Sequence, residues 1–232
     1  MKLTLRPKII LFTVIPLVTL TFVALWVVNQ TISKQVREGI DDNLTRASAN
    51  LEGMLSARAE YLGVAGEVIV QDPRFFSSLT LPGSHEDDEY RATVAGVARE
   101  FNSITRADLF EVFDAKGGLI VSVGTGRSDG SATRALVASA LAEHQRAAVL
   151  STAGQLHQAI VVPVHAGGRV VGVLLLGKDI GQEFASRLRD LTRSEVTFLA
   201  GSAITETTLG DGLDRTAVLD AFRRVSRGAA DA

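Results

Sequence analysis

A long apolar run opens the pattern of hydrophobic and polar positions. From Ile9 to Val28 the chain has twenty residues without a charged side chain. At about 1.5 Å per residue, a helix of this length spans roughly 30 Å, which is the thickness of the hydrocarbon core of a membrane. The run also lacks the polar stripe that a helix at a protein surface carries. The pattern therefore predicts a transmembrane helix over residues 9–28.

A cleaved signal peptide is the alternative for this run. Signal peptides have a shorter apolar stretch, of roughly 7–15 residues, which is followed by a cleavage site with small residues. The residues that follow Ala24 are Leu-Trp-Val-Val-Asn-Gln and offer no such site. We therefore expect an uncleaved anchor.

The basic residues around the run predict its orientation. Lys2, Arg6 and Lys8 precede it, whereas the basic residues after it, such as Lys34, are mixed with acidic ones. Because cytoplasmic flanks carry an excess of basic residues, residues 1–8 are expected in the cytoplasm. The sequence thus predicts a single-pass protein of the inner (cytoplasmic) membrane, with its soluble part facing the periplasm or the exterior.

Apolar positions after the anchor recur mostly at steps of three, four or seven residues, with charged residues, Ser, Thr and Asn between them. This spacing is typical of one face of a helix, and no proline occurs between Pro16 and Pro73. We predict one long helix over residues 29–70. Its apolar stripe pairs with a second copy of the chain in a homodimer, packs on its own domain, or does both in different halves. The stripe consists of Ile32, Val36, Ile40, Leu44, Ala47, Leu51, Leu55, Leu62, Ala65 and Ile69.

Short helices and strands fill the rest of the pattern. Asp72 and Pro73 have the residue types of a helix cap and a first turn, and they predict a short helix through Phe76. Helical spacing predicts further helices near residues 89–104, 132–143, 182–191 and 216–225. Strand-like segments occur at residues 109–113, 119–123, 147–152, 155–164, 169–178, 195–200 and 203–207.

Turn residues join most of these strands, at positions 114–118 and 165–168 for example. Parallel neighbours need crossovers of about a dozen residues or more, so short turns indicate antiparallel pairing. The order of elements predicts an α+β domain in which the long N-terminal helix lies across one face of a five-stranded antiparallel sheet.

Composition narrows the classes of function. The chain has 232 residues, a net charge of −2 and no cysteine. This charge gives no basic surface for nucleic acid, and the lack of cysteine excludes disulfides, thiol catalysis and thiolate metal sites. Neither a Gly-x-Ser-x-Gly elbow nor a His-Glu-x-x-His motif occurs. We therefore expect neither an enzyme nor a metal or other cofactor.

Two weaker motifs have less specific interpretations. Gly124, Gly126 and Gly130 loosely follow the spacing of a phosphate-binding loop, but no parallel crossover is expected and a flexible surface loop is the favoured interpretation. His157 and His165 are eight residues apart, which suits a metal pair only on an unbroken strand, and Pro163 argues against that. Ordinary sheet and turn residues are the favoured interpretation of the two histidines.

Three stretches resemble the Cache family of extracytoplasmic PAS-like sensor domains. Asp108–Ser122 resembles its first hairpin, with an aspartate-then-glycine turn, and His157–Gly177 resembles its central hairpin, with Pro-Val in one strand and Val-Val-Gly-Val after the turn. Glu195–Thr208 resembles a strand–turn–strand of some two-lobed members. The resemblance implies a PAS-like sensor domain over residues 71–208, followed by a C-terminal helix or the start of a truncated region over residues 209–232.

In that family such domains bind small ligands outside the cell and drive a cytoplasmic output. The resemblance therefore implies a membrane-anchored sensory input domain of a bacterial receptor, whose output domain is absent from this chain. The alternative is a membrane-anchored dimeric scaffold or partner-binding protein that takes no small-molecule ligand.

The resemblance also implies a ligand pocket between the sheet and the loop–helix connection that crosses it. On this connection it selects Arg127, Ser128 and Asp129, with Arg127 as a clamp for a carboxylate or phosphate because its guanidinium binds two oxygens at once. The alternative for each position is a solvated loop or strand-end residue. Strand ends add Ser122, Ser151, Gln155 and His157.

Overall fold

The computed structural model describes residues 43–82, 86–128, 130–142, 144–201, 203–210 and 215–230. The predicted membrane helix over residues 9–28 and the predicted beginning of the long helix lie outside these ranges. Within them, no helix combines the length and the apolar character that crossing a membrane requires. The chain divides into two compact units, residues 1–49 and 50–232, and the fold below is that of the second unit.

The main sheet has five strands in the order β2-β1-β5-β4-β3, and all neighbours are antiparallel. This arrangement confirms the predicted five-stranded antiparallel sheet. The strands β6 (Thr197–Ala200) and β7 (Ala203–Thr207) form a separate antiparallel hairpin. The strands of the main sheet are β1 (Leu109–Asp114), β2 (Leu119–Ser122), β3 (Arg146–Thr152), β4 (Gln155–Ala166) and β5 (Arg169–Asp179).

The helices begin close to the predicted positions. As predicted, Asp72 caps the second helix, and its carboxylate accepts a hydrogen bond of 2.8 Å from the N–H of Arg74. The described part of the long N-terminal helix, α1, covers residues 43–71. The others are α2 (Pro73–Thr80), α3 (Asp88–Thr105), α4 (Ser131–Leu141), α5 (Gln182–Thr192) and α6 (Arg215–Ala230).

One side of the main sheet, the helix face, is covered by α1, α2 and α3. The buried apolar positions of β1, β4 and β5 on this side alternate along each strand, as a period of two residues requires. The predicted stripe of α1 therefore packs on its own domain in its distal part. The helix face of the sheet consists of Phe110, Val112, Ile160, Val162, Val164, Leu174 and Leu176, and the helices cover it with Leu62, Ile69, Val70, Phe75, Leu79, Val94, Ala98 and Phe101.

Two glycines let α1 approach the helix face closely. A Cβ atom on Gly66 would lie 2.7 Å from Cγ2 of Val162, and one on Gly63 would lie 3.3 Å from Cδ1 of Ile160. Because real Cβ atoms do not approach side-chain carbons as closely as the first distance, a side chain at Gly66 would push the helix away from β4.

The opposite side, the α4 face, is covered by α4. Its cluster contains Leu136, Val137 and Ala140 of the helix. Since both sides of the sheet are covered, the central strands are apolar at successive positions. The strands contribute Leu109, Phe113, Leu150, Ala159, Val161, Val173 and Leu175 to this face.

Candidate functional site

Glu111 places a carboxylate inside the α4 face. It lies on β1 between Leu109 and Phe113, which belong to that face, and its side chain is fully buried. Its carboxylate accepts hydrogen bonds from the N–H of Ser128 (2.7 Å), from the hydroxyl of Ser128, and from the hydroxyl of Ser122 (3.3 Å). Glu111 therefore attaches the connection between β2 and α4 to the sheet.

The glycine-rich connection packs directly on the beginning of β1. The N–H of Gly126 donates a hydrogen bond of 2.9 Å to the carbonyl of Asp108. A Cβ atom on Gly124 would lie 2.1 Å from that same carbonyl oxygen. A Cβ atom on Gly126 would lie 2.9 Å from Cδ2 of Leu109 and 3.4 Å from Nε2 of His157. These glycines are explained by close packing of the connection on the sheet, so the favoured prediction of a flexible surface loop misses this contact.

Burial raises the pKa of the Glu111 carboxyl above its ordinary value of 4.5, while the hydrogen bonds from Ser128 and Ser122 and the positive charge of Arg127 act in the opposite direction. Desolvation is the larger effect because the charged form loses its contact with water on all sides. The fold therefore favours the protonated carboxyl, relative to the unfolded chain.

We expect Glu111→Gln to remove a pH dependence from folding stability. Because the pKa of Glu111 is raised in the folded chain, its stabilising contribution is present below the ordinary value and is lost as the pH rises through the raised value. The free energy of unfolding of the wild type, measured relative to Glu111→Gln in urea, should therefore fall as the pH rises above about 4.5. The substitution Glu52→Gln, at an exposed position of α1, is the control. A wild type that gains stability relative to Glu111→Gln over this range would contradict the prediction.

Two further buried polar side chains lie on the α4 face. His157 is opposite Leu150 in the β3–β4 ladder, and Thr152 is two residues from Leu150, so both point to the side of the α4 cluster. Nδ1 of His157 and Oγ1 of Thr152 are buried and have no hydrogen-bond partner among the described residues. An unpaired buried polar atom costs about 1–3 kcal/mol, so a water molecule or a ligand that bonds to these two atoms would stabilise the folded chain.

The seven predicted ligand residues fall into three groups. Ser122 and Ser128 meet at Glu111, and the same connection reaches His157 through Gly126. Arg127 is exposed on this connection, and Asp129 lies outside the described residues. Ser151 and Gln155 are exposed at the tip of the β3–β4 hairpin, where Ser151 points away from the side that Thr152 faces.

Open grooves occur elsewhere in the described part of the chain, and the three described next are lined by none of the seven residues. One of about 530 Å³ lies beside Glu67 and His165, one of about 610 Å³ beside Arg58 and Arg106, and one of about 210 Å³ beside Thr133. Between the connection and the strands, the side chains of Glu111, Ser128 and His157 are buried.

Residues 37–226 match the model of a family described as the double sensory domain of two-component sensor kinases, dCache_3. The chain belongs to this Cache family. The family match confirms the resemblance that the two hairpins indicated. No curated protein sequence matches the chain.

Solved structures of similar fold include a periplasmic domain and a sensor domain. The periplasmic domain of Vibrio cholerae LuxQ is 14% identical, covers 76% of this chain and 84% of its own, and has a TM-score of 0.53. The sensor domain of the V. cholerae histidine kinase DctB is 14% identical, with coverage of 78% and 72% and a TM-score of 0.51. At these identities the likeness establishes the fold alone, which is α+β with a long N-terminal helix on a five-stranded antiparallel sheet.

A series of contacts around Asp108 and Asp179, called the corner below, connects the α4 face of this Cache domain with α1. The carbonyl of Asp108 accepts the Gly126 N–H, and its carboxylate accepts the Asp179 N–H at 2.9 Å. The carbonyl of Asp179 in turn accepts a hydrogen bond of 2.8 Å from Nη1 of Arg58 on α1. Lys178 completes the corner, with its Nζ 3.3 Å from Oδ2 of Asp108. Three hydrogen bonds thus join the glycine-rich connection to the long helix.

Residue-level reasoning missed Glu111, Thr152 and Asp108. One signal for Glu111 was present, because Leu-Phe-Glu-Val-Phe places a charged residue at an inward position of an otherwise apolar strand. Asp108 and Thr152 lie at strand ends and carry no such signal, since polar residues are common there.

Proposed function

We propose that this Cache domain is the extracytoplasmic input of a membrane receptor, binds a small ligand on the α4 face, and signals through its N-terminal helix to an output domain outside this chain. The proposal includes a cytoplasmic segment (1–8), a membrane helix (9–28), a signalling helix (29–70), a sensor domain (71–208) and a C-terminal region (209–232). Membership of a family of sensory domains supports the input role. The observation that carries the ligand role is the pair of unpartnered buried polar atoms on His157 and Thr152.

The ligand would lie between the strands and the connection of residues 124–128. His157 and Thr152 would contribute Nδ1 and Oγ1 from the sheet, and Arg127 would bind a carboxylate or phosphate from the connection. Because the connection packs directly on the beginning of β1, binding requires the connection to move away from that strand. The bonds that hold it to Glu111 and Asp108 would then break or rearrange.

The signal would leave through the corner at Asp108. A movement of Gly126 acts on the Asp108 backbone, whose side chain holds Asp179, and Asp179 accepts a hydrogen bond from Arg58 of α1. Conformational changes in proteins are commonly transmitted by a small shift or rotation of a packed helix. The ligand shifts this equilibrium only by its difference in affinity for the two arrangements.

We expect a small-molecule stabiliser of the full chain, and we expect Arg127→Ala to weaken its effect. A ligand at a hundred times its dissociation constant adds about 2.7 kcal/mol to the free energy of unfolding, which thermal denaturation detects readily. Amino acids, carboxylates, amines and purines are the compounds to screen. The matched control is Arg169→Ala, an exposed arginine at the beginning of β5. A hit that Arg127→Ala and Arg169→Ala affect equally would exclude Arg127 as the clamp, and a folded chain without any hit would favour the scaffold.

A dimer through α1 is the second part of the proposal, and it also suits the alternative scaffold function. Ala57, Val64 and Val68 are exposed on α1 and form a second stripe, distinct from the one that packs on the core. Tyr61 lies at the border of this exposed stripe. At 100° per residue the stripe points to the side of α1 opposite to Leu62 and the core. Spacings of seven and four residues are those of a helix seam, and we propose that a second copy of the same chain covers it. The mass of the chain in solution is the measurement that tests this part.

A further inference from the structure

A groove lies beside Asp108, because Lys178, which lines it, has its Nζ 3.3 Å from the carboxylate of that residue. It is bounded by α1, by the C-terminal end of α3, by the end of β5 and by α5, and its volume is about 610 Å³. Small-molecule sites have volumes of roughly 300–1,000 Å³, so the groove is large enough for a ligand. It shares no lining residue with the proposed ligand site on the α4 face, whereas Arg58 and Lys178 also belong to the contacts around Asp108.

The groove is basic, although the chain as a whole has a net charge of −2. Its cations are Arg58, Arg106, Lys178 and Arg187, and its one acidic lining residue is Glu183. Lys178 is paired with an aspartate beneath it and Arg187 with Glu183. Two guanidinium groups therefore carry the positive charge that is not neutralised within the groove.

Arg58 and Arg106 both have side-chain N–H groups that donate no hydrogen bond among the described residues. The side chain of Arg106 has no hydrogen-bond or ion-pair partner among the described residues, and Arg58 uses only one N–H, for the carbonyl of Asp179. The guanidinium of Arg58 lies 4.6 Å from the centre of the Phe184 ring, which holds it in place against α5. Burial lowers the pKa of this guanidinium, and the nearby carboxylate of Glu183 opposes that effect, so a bound anion would stabilise a partly desolvated cation.

Apolar surface lies beside these cations. Leu62 lines the groove from the core side, while Tyr61 and Ile104 remain 62% and 75% exposed at its edges. An isoleucine that is three-quarters exposed, next to an arginine with free donors, suits a ligand that has both an apolar part and an anionic part.

We propose that this groove binds a small organic anion. Its carboxylate or phosphate head would accept hydrogen bonds from Arg58 and Arg106, since the planar guanidinium group suits both kinds of anion. Its apolar body would contact Ile104 and Tyr61. The ligand class follows from the lining chemistry, and it does not depend on the ligand of the α4 face.

Isothermal titration of the full chain with phenyl phosphate and with phenylacetate tests this proposal. We expect saturable binding of at least one of them, and weaker binding of the corresponding head alone, inorganic phosphate or acetate. Arg106→Ala should weaken binding by about tenfold or more, because it removes charge-assisted hydrogen bonds. Ile104→Ala should weaken it by a smaller factor. Arg169→Ala, which removes an exposed arginine outside the groove, should leave it unchanged.

Three results would overturn the proposal. These are no binding of either probe to a folded chain, equal affinities of Arg106→Ala and Arg169→Ala, and a bare head group that binds as tightly as the whole probe. Arg106 is a suitable position because its side chain is exposed and has no hydrogen-bond or ion-pair partner among the described residues. Since no residue of the α4 face is changed, a negative result here leaves the proposed function of that face untouched.

Discussion

Gly124→Ala is expected to lower the free energy of unfolding by about 3 kcal/mol, the upper end of the usual cost of overpacking. A Cβ atom at this position would lie 2.1 Å from the carbonyl oxygen of Asp108, 2.8 Å from its carbonyl carbon and 3.0 Å from the N of Phe110. All three are backbone atoms of β1 or of the residue before it, so no change of side-chain rotamer removes the clash. The connection must move away from the strand, and urea denaturation of the full chain measures the cost.

Gly96→Ala is the matched control for this substitution. Gly96 lies within α3, and a Cβ atom there would meet nothing within 4 Å. Alanine is the better helix former, so this variant should gain up to about 1 kcal/mol. If Gly124→Ala were as stable as Gly96→Ala, the close packing of the connection on β1 would be wrong. The site and the corner described above would then lose their geometric basis.

Replacement of Val64 and Val68 by glutamate is expected to dissociate a dimer of the full chain. In a two-fold symmetric helix seam, each substituted position brings like charges from two copies close together, which costs several kcal/mol. A penalty of about 3 kcal/mol weakens association by more than about a hundredfold. Both side chains are more than half exposed in one copy of the chain, at 57% and 65%, so the double variant should still fold. Sedimentation equilibrium in a density-matched non-ionic detergent measures the mass.

Ser56→Glu provides the comparison, because it adds a charge at an exposed position of α1 outside the stripe. It should keep the dimer if the stripe is the interface. A wild type that is monomeric at all accessible concentrations would remove the dimer from the proposal, and a dimer that survives the double substitution would place the interface elsewhere.

The local elements of this domain follow from short stretches of sequence. The short apolar runs of β1, β4 and β5, the Asp-then-Gly turn after β1, and the Asp72–Pro73 helix start all act between neighbours in the chain. They predicted the strands of the main sheet, their antiparallel pairing and the helix that crosses it. The same patterns carried the resemblance to Cache domains, which the family match confirms.

The candidate site was predicted only in part. Ser128 was selected as a residue of the connection, but its partner Glu111 is seventeen positions earlier on another strand. His157 was selected at a strand end, whereas its pairing with the buried side of Leu150 follows from the register between β3 and β4. A strand-end position does not reveal which face a side chain occupies, because a shift of one residue in register moves it to the opposite face.

The sequence by itself determined the order of helices and strands, the fold class and the family, because periodicity, turn residues and caps depend on contacts between close positions in the chain. Only the tertiary structure decided that Glu111 accepts hydrogen bonds from the connection and that His157 and Thr152 are buried on the α4 face. It also decided that Arg58 donates a hydrogen bond to the carbonyl of Asp179, which is 121 positions away. Such contacts join distant segments, and they depend on how closely helices and strands pack and on which side chains that packing removes from water.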